Sequence, residues 1–334
     1  MTDAPHTAQP SRPSLYQVFG GAAEPAPAQI AAADLGGRLS ALSAAARRVR
    51  HEQDPEAVHD LRVASRRLTA AIDLWTPVLD ARGARRARRR TRRMRRDLAT
   101  LRDLEVLSAI VRERALASTA EARPALEAVL ADAERRLSEQ RAAAPQAASR
   151  RRIRRVRRAL DRSLRSASSP AAAPSARELA DAHVGAMRER AILALETGWS
   201  SGNDEDLHAA RIRVKRWRYA IECRAGISTF PPVAAVGDGP HARAAQAADA
   251  ALPRAEREFL KRLRSLQEAL GRIQDLALVR EHLESAARRA LLHSRPADAA
   301  ALQSTIARLA PARALAAAEA QRLSTTLSGG RAAD

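Results

Sequence analysis

"LHAARIRVKRWRYAIE", residues 207–222, decides how this chain is read. Leu207, Ala210, Val214, Trp217 and Ile221 step by three or four residues and make one apolar stripe of an α-helix. His208, Arg211, Lys215 and Arg218 step in the same way, one position round. A helix rises about 1.5 Å per residue, so neighbours in that second row stand roughly 5–6 Å apart. Like charges at this spacing destabilise an isolated helix. A solvated face is the ordinary explanation of one such row. A linear anion lying along it is the other.

The arrangement occurs twice, which favours the anion. In "VHDLRVASRRLTAAID", residues 58–73, Val58, Leu61, Ser65, Leu68 and Ile72 form the apolar stripe, and His59, Arg62, Arg66 and Thr69 form the row beside it. Setting His59 over His208 aligns Arg62 with Arg211, Arg66 with Lys215, Arg67 with Arg216 and Asp73 with Glu222, without a gap. Asp54 and Asn203, both good N-cap residues, precede the two helices at the same distance. A second pair follows: "LATLRDLEVL", residues 98–107, matches "LGRIQDLALV", residues 270–279, with Asp103 over Asp275. His59 and Asp103 are 44 residues apart and His208 and Asp275 are 67 apart, a difference close to the length of a proline- and glycine-bearing insertion at 226–252. An internal duplication is the economical account.

Proline and glycine punctuation predicts helices over 29–51, 55–80, 84–118 and 122–164, then 176–197, 204–225, 253–293 and 297–326. The expected fold is all-α: two four-helix bundles, 29–165 and 176–327, related by a pseudo-two-fold around a basic groove or pore. Residues 166–175 join them, and residues 1–28 and 328–334 are tails. Pro145 and Pro311 fall inside expected helices, where each should kink or break one.

The composition agrees. Aromatic residues are 2% of the 334, hydrophobic residues 46%, and the strong helix formers Ala, Leu, Arg and Glu dominate. The net charge of +20, from 58 basic and 38 acidic residues, points to a polyanionic partner: nucleic acid, an anionic membrane surface or an inorganic polyanion. One cysteine, Cys223, excludes an intrachain disulfide and fits a reducing compartment. No apolar run reaches 18 residues, and residues 1–28 carry no signal-peptide pattern, so the cytoplasm is the expected location.

Two further stretches extend the positive surface. "RRARRRTRRMRR", residues 85–96, holds nine arginines in twelve positions, and "RRRIRRVRR", residues 150–158, holds seven in nine. Both read as too dense for ordinary amphipathic faces. Arg95 and Arg96, next to the 98–107 motif, are those of the first run expected to face the groove. Asp103 and Asp275 are expected to anchor neighbouring arginines structurally. Tyr219 is expected to pack, with its hydroxyl at the groove edge.

The two helices, each followed by an "LxxxxDLxxL"-like segment, resemble the two halves of a CHAD domain. The resemblance covers nearly the whole chain after the N-terminal tail. It implies a helical fold of two bundles around a pseudo-two-fold, a basic centre that binds inorganic polyphosphate, and association with polyphosphate granules in bacteria; some members are linked with polyhydroxyalkanoate granules. Carried over by position, the binding residues are His59, Arg62, Arg66 and Arg67 in the first half, and His208, Arg211, Lys215, Arg216 and Arg218 in the second. Thr69 stands where the first motif commonly has a basic residue, which weakens that half's grip, and Ala209 replaces the acid present at Asp60. CHAD domains are often fused to a CYTH triphosphatase domain with an ExExK signature. "EREFLK", residues 256–261, only approaches that pattern and lies on an expected helix, so a stand-alone domain is expected.

No catalytic pattern stands out: there is no Walker A loop, no HExxH, no CxxC and no Cys/His set with zinc spacing. The expectation is non-catalytic binding without metal or cofactor. Two alternatives remain at this level. A nucleic-acid binder indifferent to sequence would use the arginine runs on phosphates, but it usually stacks bases on aromatics, and only Trp217 and Tyr219 occur in the repeated motif. A granule-coat scaffold would use polyanion binding as an address.

Overall fold

The structure, a computed structural model, describes residues 25–52, 55–165, 174–228 and 253–329, and its regular elements there are all helical. In chain order they are α1 (Pro27–His51), α2 (Pro55–Trp75), α3 (Ala81–Asp97), α4 (Ala99–Leu116), α5 (Arg123–Ala147), α6 (Arg150–Arg165), α7 (Ala176–Ser201), α8 (Asp204–Ser228), α9 (Arg254–Leu292) and α10 (Pro296–Gly329), with a short 3-10 turn at Thr76–Val78. The fold class is all-α, as expected. Most of the two tails, of the 166–175 joint and of the 226–252 insertion, and Asp54, lie outside the described residues.

Among the described residues the first half holds six α-helices rather than four. The expected helix 84–118 breaks at Leu98, and the expected helix 122–164 breaks at Ala148. A helix end leaves carbonyls without partners, and here an arginine from another helix supplies one. Arg62 of α2 donates to the Leu98 carbonyl at 2.6 Å, and Arg50 of α1 donates to the Ala148 carbonyl at 2.7 Å. Each cation also meets the negative end of a helix dipole. Pro145 lies in the last turn before the second break, whereas Pro311 lies inside α10 without ending it.

The arginine-dense runs form α3 and α6, and both are amphipathic after all. Ala84, Ala87, Thr91 and Met94 make the buried stripe of α3; Ile153, Val156, Ala159, Leu160 and Ser163 make that of α6. The stripes are narrow because the two helices pack on each other through small residues. A Cβ added at Gly83 would stand 2.8 Å from the Ser163 Cβ. Asp80 caps α3 by accepting the Gly83 N–H at 2.6 Å, and the Ser163 hydroxyl donates to the Asp80 carbonyl at 2.8 Å.

The hairpins α1–α2, α7–α8 and α9–α10 each pack along their length. Between α7 and α8, Gly202 takes the left-handed conformation (φ 64°) that ends a helix. Asn203 then caps α8, its Oδ1 accepting the Asp206 N–H at 2.8 Å. Apolar side chains collect in two clusters. One runs through α1–α6 and takes in Val279, Leu283, Ala286, Ala287 and Ala290 of α9. The other joins α7 and α8 to Leu260, Leu263, Leu266, Leu270 and Ile273 of α9. Helices α9 and α10 therefore serve both cores. Cys223 is buried in the first cluster, and burial pushes its thiol up to about 12.

Candidate functional site

The two motif helices, α2 and α8, pack against each other, α9 packs on α8, and α4 packs on α9. Both expected apolar stripes are buried: Val58, Leu61, Ser65, Leu68 and Ile72 on α2, and Leu207, Ala210, Val214, Trp217 and Ile221 on α8. Trp217 meets Phe259 edge to face at 5.2 Å. Burying these stripes fixes the rotation of both helices, and rotation places the neighbouring rows. Arg62, Arg66, His208, Arg211, Lys215 and Arg218 are all half-buried, and His59 is exposed. Thr69 turns inward, 6% exposed, and its hydroxyl donates to the Ser65 carbonyl at 2.7 Å.

Electrostatics show which of these residues act on one another. Arg66 acts on Arg62 beside it, on Arg95 of α3, and on Arg211 and Lys215 of α8. Burial, then Arg66, pushes the Arg62 guanidinium down to about 10. Burial, then Arg66, Arg92 and Arg216, pushes Arg95 down to about 10. Arg211 is lowered by burial against the pull of Asp275, with Arg66 and Arg102 adding to the lowering. Arg216 is lowered by burial, then by Arg213 and Arg92. Lys215 is moved furthest: burial, then Arg211, Arg66 and Arg218, push its ammonium down to about 6 against Asp275. Each of these cations is disfavoured by desolvation among other cations. The site is thus a cluster of mutually repelling positive charges drawn from α2, α3 and α8.

Other expected binding residues are differently placed. Glu222 stands 3.3 Å from Arg218 and 3.5 Å from Arg67, so these two arginines already share a carboxylate. Asp73, its counterpart in the alignment, pairs with Arg88 at 2.7 Å. Tyr219 is buried at 4% exposure with the Arg218 guanidinium 4.7 Å over its ring, and it acts on Arg95. It supports two arginines from inside, because α8 rotates it off the row. Arg96 is exposed, and its charge is felt at Arg92. Asp103 and Asp275 close no ion pair among the described residues. Burial raises Asp275 from the ordinary carboxylate range, while Arg211, Arg102 and Lys215 pull it back. It acts through space and does not clamp an arginine.

His208 donates through Nδ1 to Gln274 Oε1 at 2.7 Å, which fixes its ring against α9. It also lines a cavity of about 370 Å³ with Gln274, Asp204, Glu205, Glu281, Glu284 and Arg280, and Arg280 pairs with Asp204 and Glu284 there. With four carboxylates to one arginine, this cavity differs in charge from the cluster on α2, α3 and α8. Three residues were missed from sequence: Arg92, Arg102 and Gln274. Arg102 lies over Gln274 when Asp103 is set over Asp275, so the second repeated motif held the signal for both. Arg92 stands one turn before Arg96 in α3 and was hidden among its neighbours. Among the described residues no helix is long and apolar enough to cross a membrane, and no cluster of three or more His, Cys, Asp or Glu gathers as a metal site.

Comparison with known proteins returns one family model, described as the CHAD domain, which matches residues 33–237. The fold is similar to the crystal structure of the CHAD domain from the plant Ricinus communis, at 24% identity and a TM-score of 0.63, with 92% of this chain and 93% of that chain covered. It is also similar to PptA from Streptomyces chartreusis, at 22% identity and a TM-score of 0.61, with 90% of this chain and 99% of that chain covered. No curated protein matches the chain.

Proposed function

The chain belongs to the CHAD domain family, and from that premise we propose that its cationic cluster binds inorganic polyphosphate, without catalysis, in a groove between α2 and α8. The observation that carries this reading is the crowding of Arg62, Arg66, Arg95, Arg211 and Lys215, each half-buried and most made costlier by its neighbours. Such a cluster is unfavourable in the free protein, and a linear anion relieves all of it at once. Polyphosphate carries charge at every unit and has no bases to stack. The two aromatic residues of the motif, Trp217 and Tyr219, are both buried and offer no stacking platform. Binding of this kind addresses the protein to polyphosphate granules in the cytoplasm of a bacterium.

One observation favours a second reading. Arg85, Arg89, Arg93, Arg154, Arg155 and Arg158 stand exposed on α3 and α6, away from the cluster, and nucleic-acid phosphates need no more than such a surface. The deciding experiment is binding of labelled long-chain polyphosphate at physiological salt, with duplex DNA and RNA as competitors matched by phosphate. Polyphosphate retained against excess nucleic acid supports the groove. Equal competition moves the function to general polyanion binding on the outer arginines.

A further inference from the structure

Helices α3 and α6 carry ten and nine arginines against one acid each, Asp97 and Asp161. Among the described residues the two helices close two ion pairs, Arg88 with Asp73 and Arg152 with Asp97. They run antiparallel along their whole length, and three contacts fix the register. At one end the Ser163 hydroxyl donates to the Asp80 carbonyl at 2.8 Å. In the middle the Arg90 guanidinium donates to the Arg155 carbonyl at 2.5 Å. At the other end Arg152 pairs with Asp97. The close approach of Gly83 to Ser163 holds the axes together, and two packed helices leave a furrow along their solvent side. In this register Arg86, Arg89 and Arg90 border the furrow from α3, and Arg155 and Arg162 border it from α6. Arg89, Arg155 and Arg162 are exposed, and Arg86 and Arg90 are half-buried. The charge on Arg90 is disfavoured by burial, then by Arg162, Arg155, Arg86 and Arg89, so the five repel one another across the seam. Arg86 and Arg90 stand about half a turn round α3 from Arg88, Arg92 and Arg95. The seam therefore faces away from the cluster between α2 and α8.

We propose that the α3–α6 seam is a second polyphosphate site, so that one molecule holds two strands and gathers long chains into a network. The proposal rests on the reading given under Proposed function for the first strand. Its own support is charge complementarity in a narrow place. A linear anion laid along the furrow meets guanidiniums from both helices, and it relieves a repulsion that no carboxylate relieves in the free protein. Guanidiniums read phosphate, and α3 and α6 contain no aromatic residue on which a base could stack. A duplex is too broad to enter a furrow between touching helices and would rest on the outer arginines alone. Because the two sites lie on opposite sides of α3, a short chain fills one of them and leaves the other for a second chain. A long chain can be shared between molecules, each joining it to another.

The test titrates the full chain calorimetrically with polyphosphate too short to reach from one site to the other. Wild-type protein should bind two chains. Combined Arg89→Gln, Arg155→Gln and Arg162→Gln should weaken one site about tenfold or more, through the loss of three phosphate contacts, and leave the other. Arg66→Gln with Arg211→Gln should do the reverse. The same loss of charge at exposed positions elsewhere, Arg123→Gln, Arg254→Gln and Arg322→Gln, should leave both sites in place. Lysine at 89, 155 and 162 should keep the seam site, which separates lost charge from a damaged fold. With long-chain polyphosphate, light scattering should show large assemblies for wild-type protein and none for either glutamine variant of the two sites. One site in wild-type protein, or two sites that the seam substitutions weaken no more than the control set does, overturns the proposal. A single site lost with the seam and untouched by Arg66→Gln with Arg211→Gln instead overturns the groove, and the network with it. A seam that leaves polyphosphate unbound but takes duplex DNA overturns the choice of ligand.

Discussion

Arg62 and Arg66 are one helical turn apart and oppose each other in what they do for the fold. Arg62 holds the carbonyl at the break between α3 and α4. Arg66 mainly adds repulsion to four neighbouring cations. Arg62→Ala should therefore cost about 1–3 kcal/mol in chemical denaturation, the worth of a charged hydrogen bond to a buried acceptor. Arg66→Gln should leave stability unchanged or raise it, while it weakens polyphosphate binding. Equal destabilisation by the two would contradict this division. Lys215 carries a pH dependence whose sign is fixed. Above about pH 6 it is neutral in the free protein, and an anion bound beside it, as proposed, would restore its charge. Binding then takes up a proton, and affinity should fall as pH rises from about 6 toward the ordinary lysine range, by up to about one proton's worth. Below pH 6 the ammonium is present in both states and the slope should vanish. The unfolded chain keeps that proton over the same window, so stability should rise with pH there. Affinity measured at constant ionic strength, beside Lys215→Arg, checks the slope; the arginine variant should flatten it.

At the scale of elements, the pairing of α3 with α6 is the most exacting. Gly83 leaves no room for a methyl group against Ser163 and the Ala159 carbonyl, which would stand at 2.8 and 3.0 Å. Gly83→Ala adds helix propensity but overpacks the crossing, and overpacking wins: a loss of about 1–3 kcal/mol is expected, read as a lowered melting temperature. Helix α8 was the most legible element, because its apolar stripe, its Asn203 cap and the Gly202 before it are all local signals. Pro145 announced the break at Ala148, but the break at Leu98 was not legible. No proline or glycine stands at Leu98, and the arginines that satisfy the broken ends come from α2 and α1. Tertiary hydrogen bonds of that kind override propensity. The same limit applied to the site. The row on α8 could be read from its spacing, whereas the engagement of Arg67 and Arg218 by Glu222, and the inward turn of Tyr219, follow from packing between helices.

For the whole molecule, a net charge of +20 sets the sign of the response to salt. Exposed ion pairs such as Arg112–Glu134 and Arg135–Glu139 contribute little each, so screening of self-repulsion dominates. Melting temperature should rise with sodium chloride up to about physiological strength. Polyphosphate affinity should fall over the same range through counterion release. Both can be read from thermal shifts with and without the ligand, and a melting temperature that falls with salt would mean that the ion pairs outweigh the repulsion.

Helix α9 gives its first half to one core and its second half to the other, with Gln274 and Asp275 between them. Separability follows from this. A chain severed between α6 and α7 yields two fragments, and the first lacks the leucines of α9 and α10 that complete its own interior. Each fragment is then the missing subunit of the other. The protein is in effect a heterodimer whose partners are synthesised as one polypeptide, and the segment that joins them governs how quickly they meet more than whether they stay together.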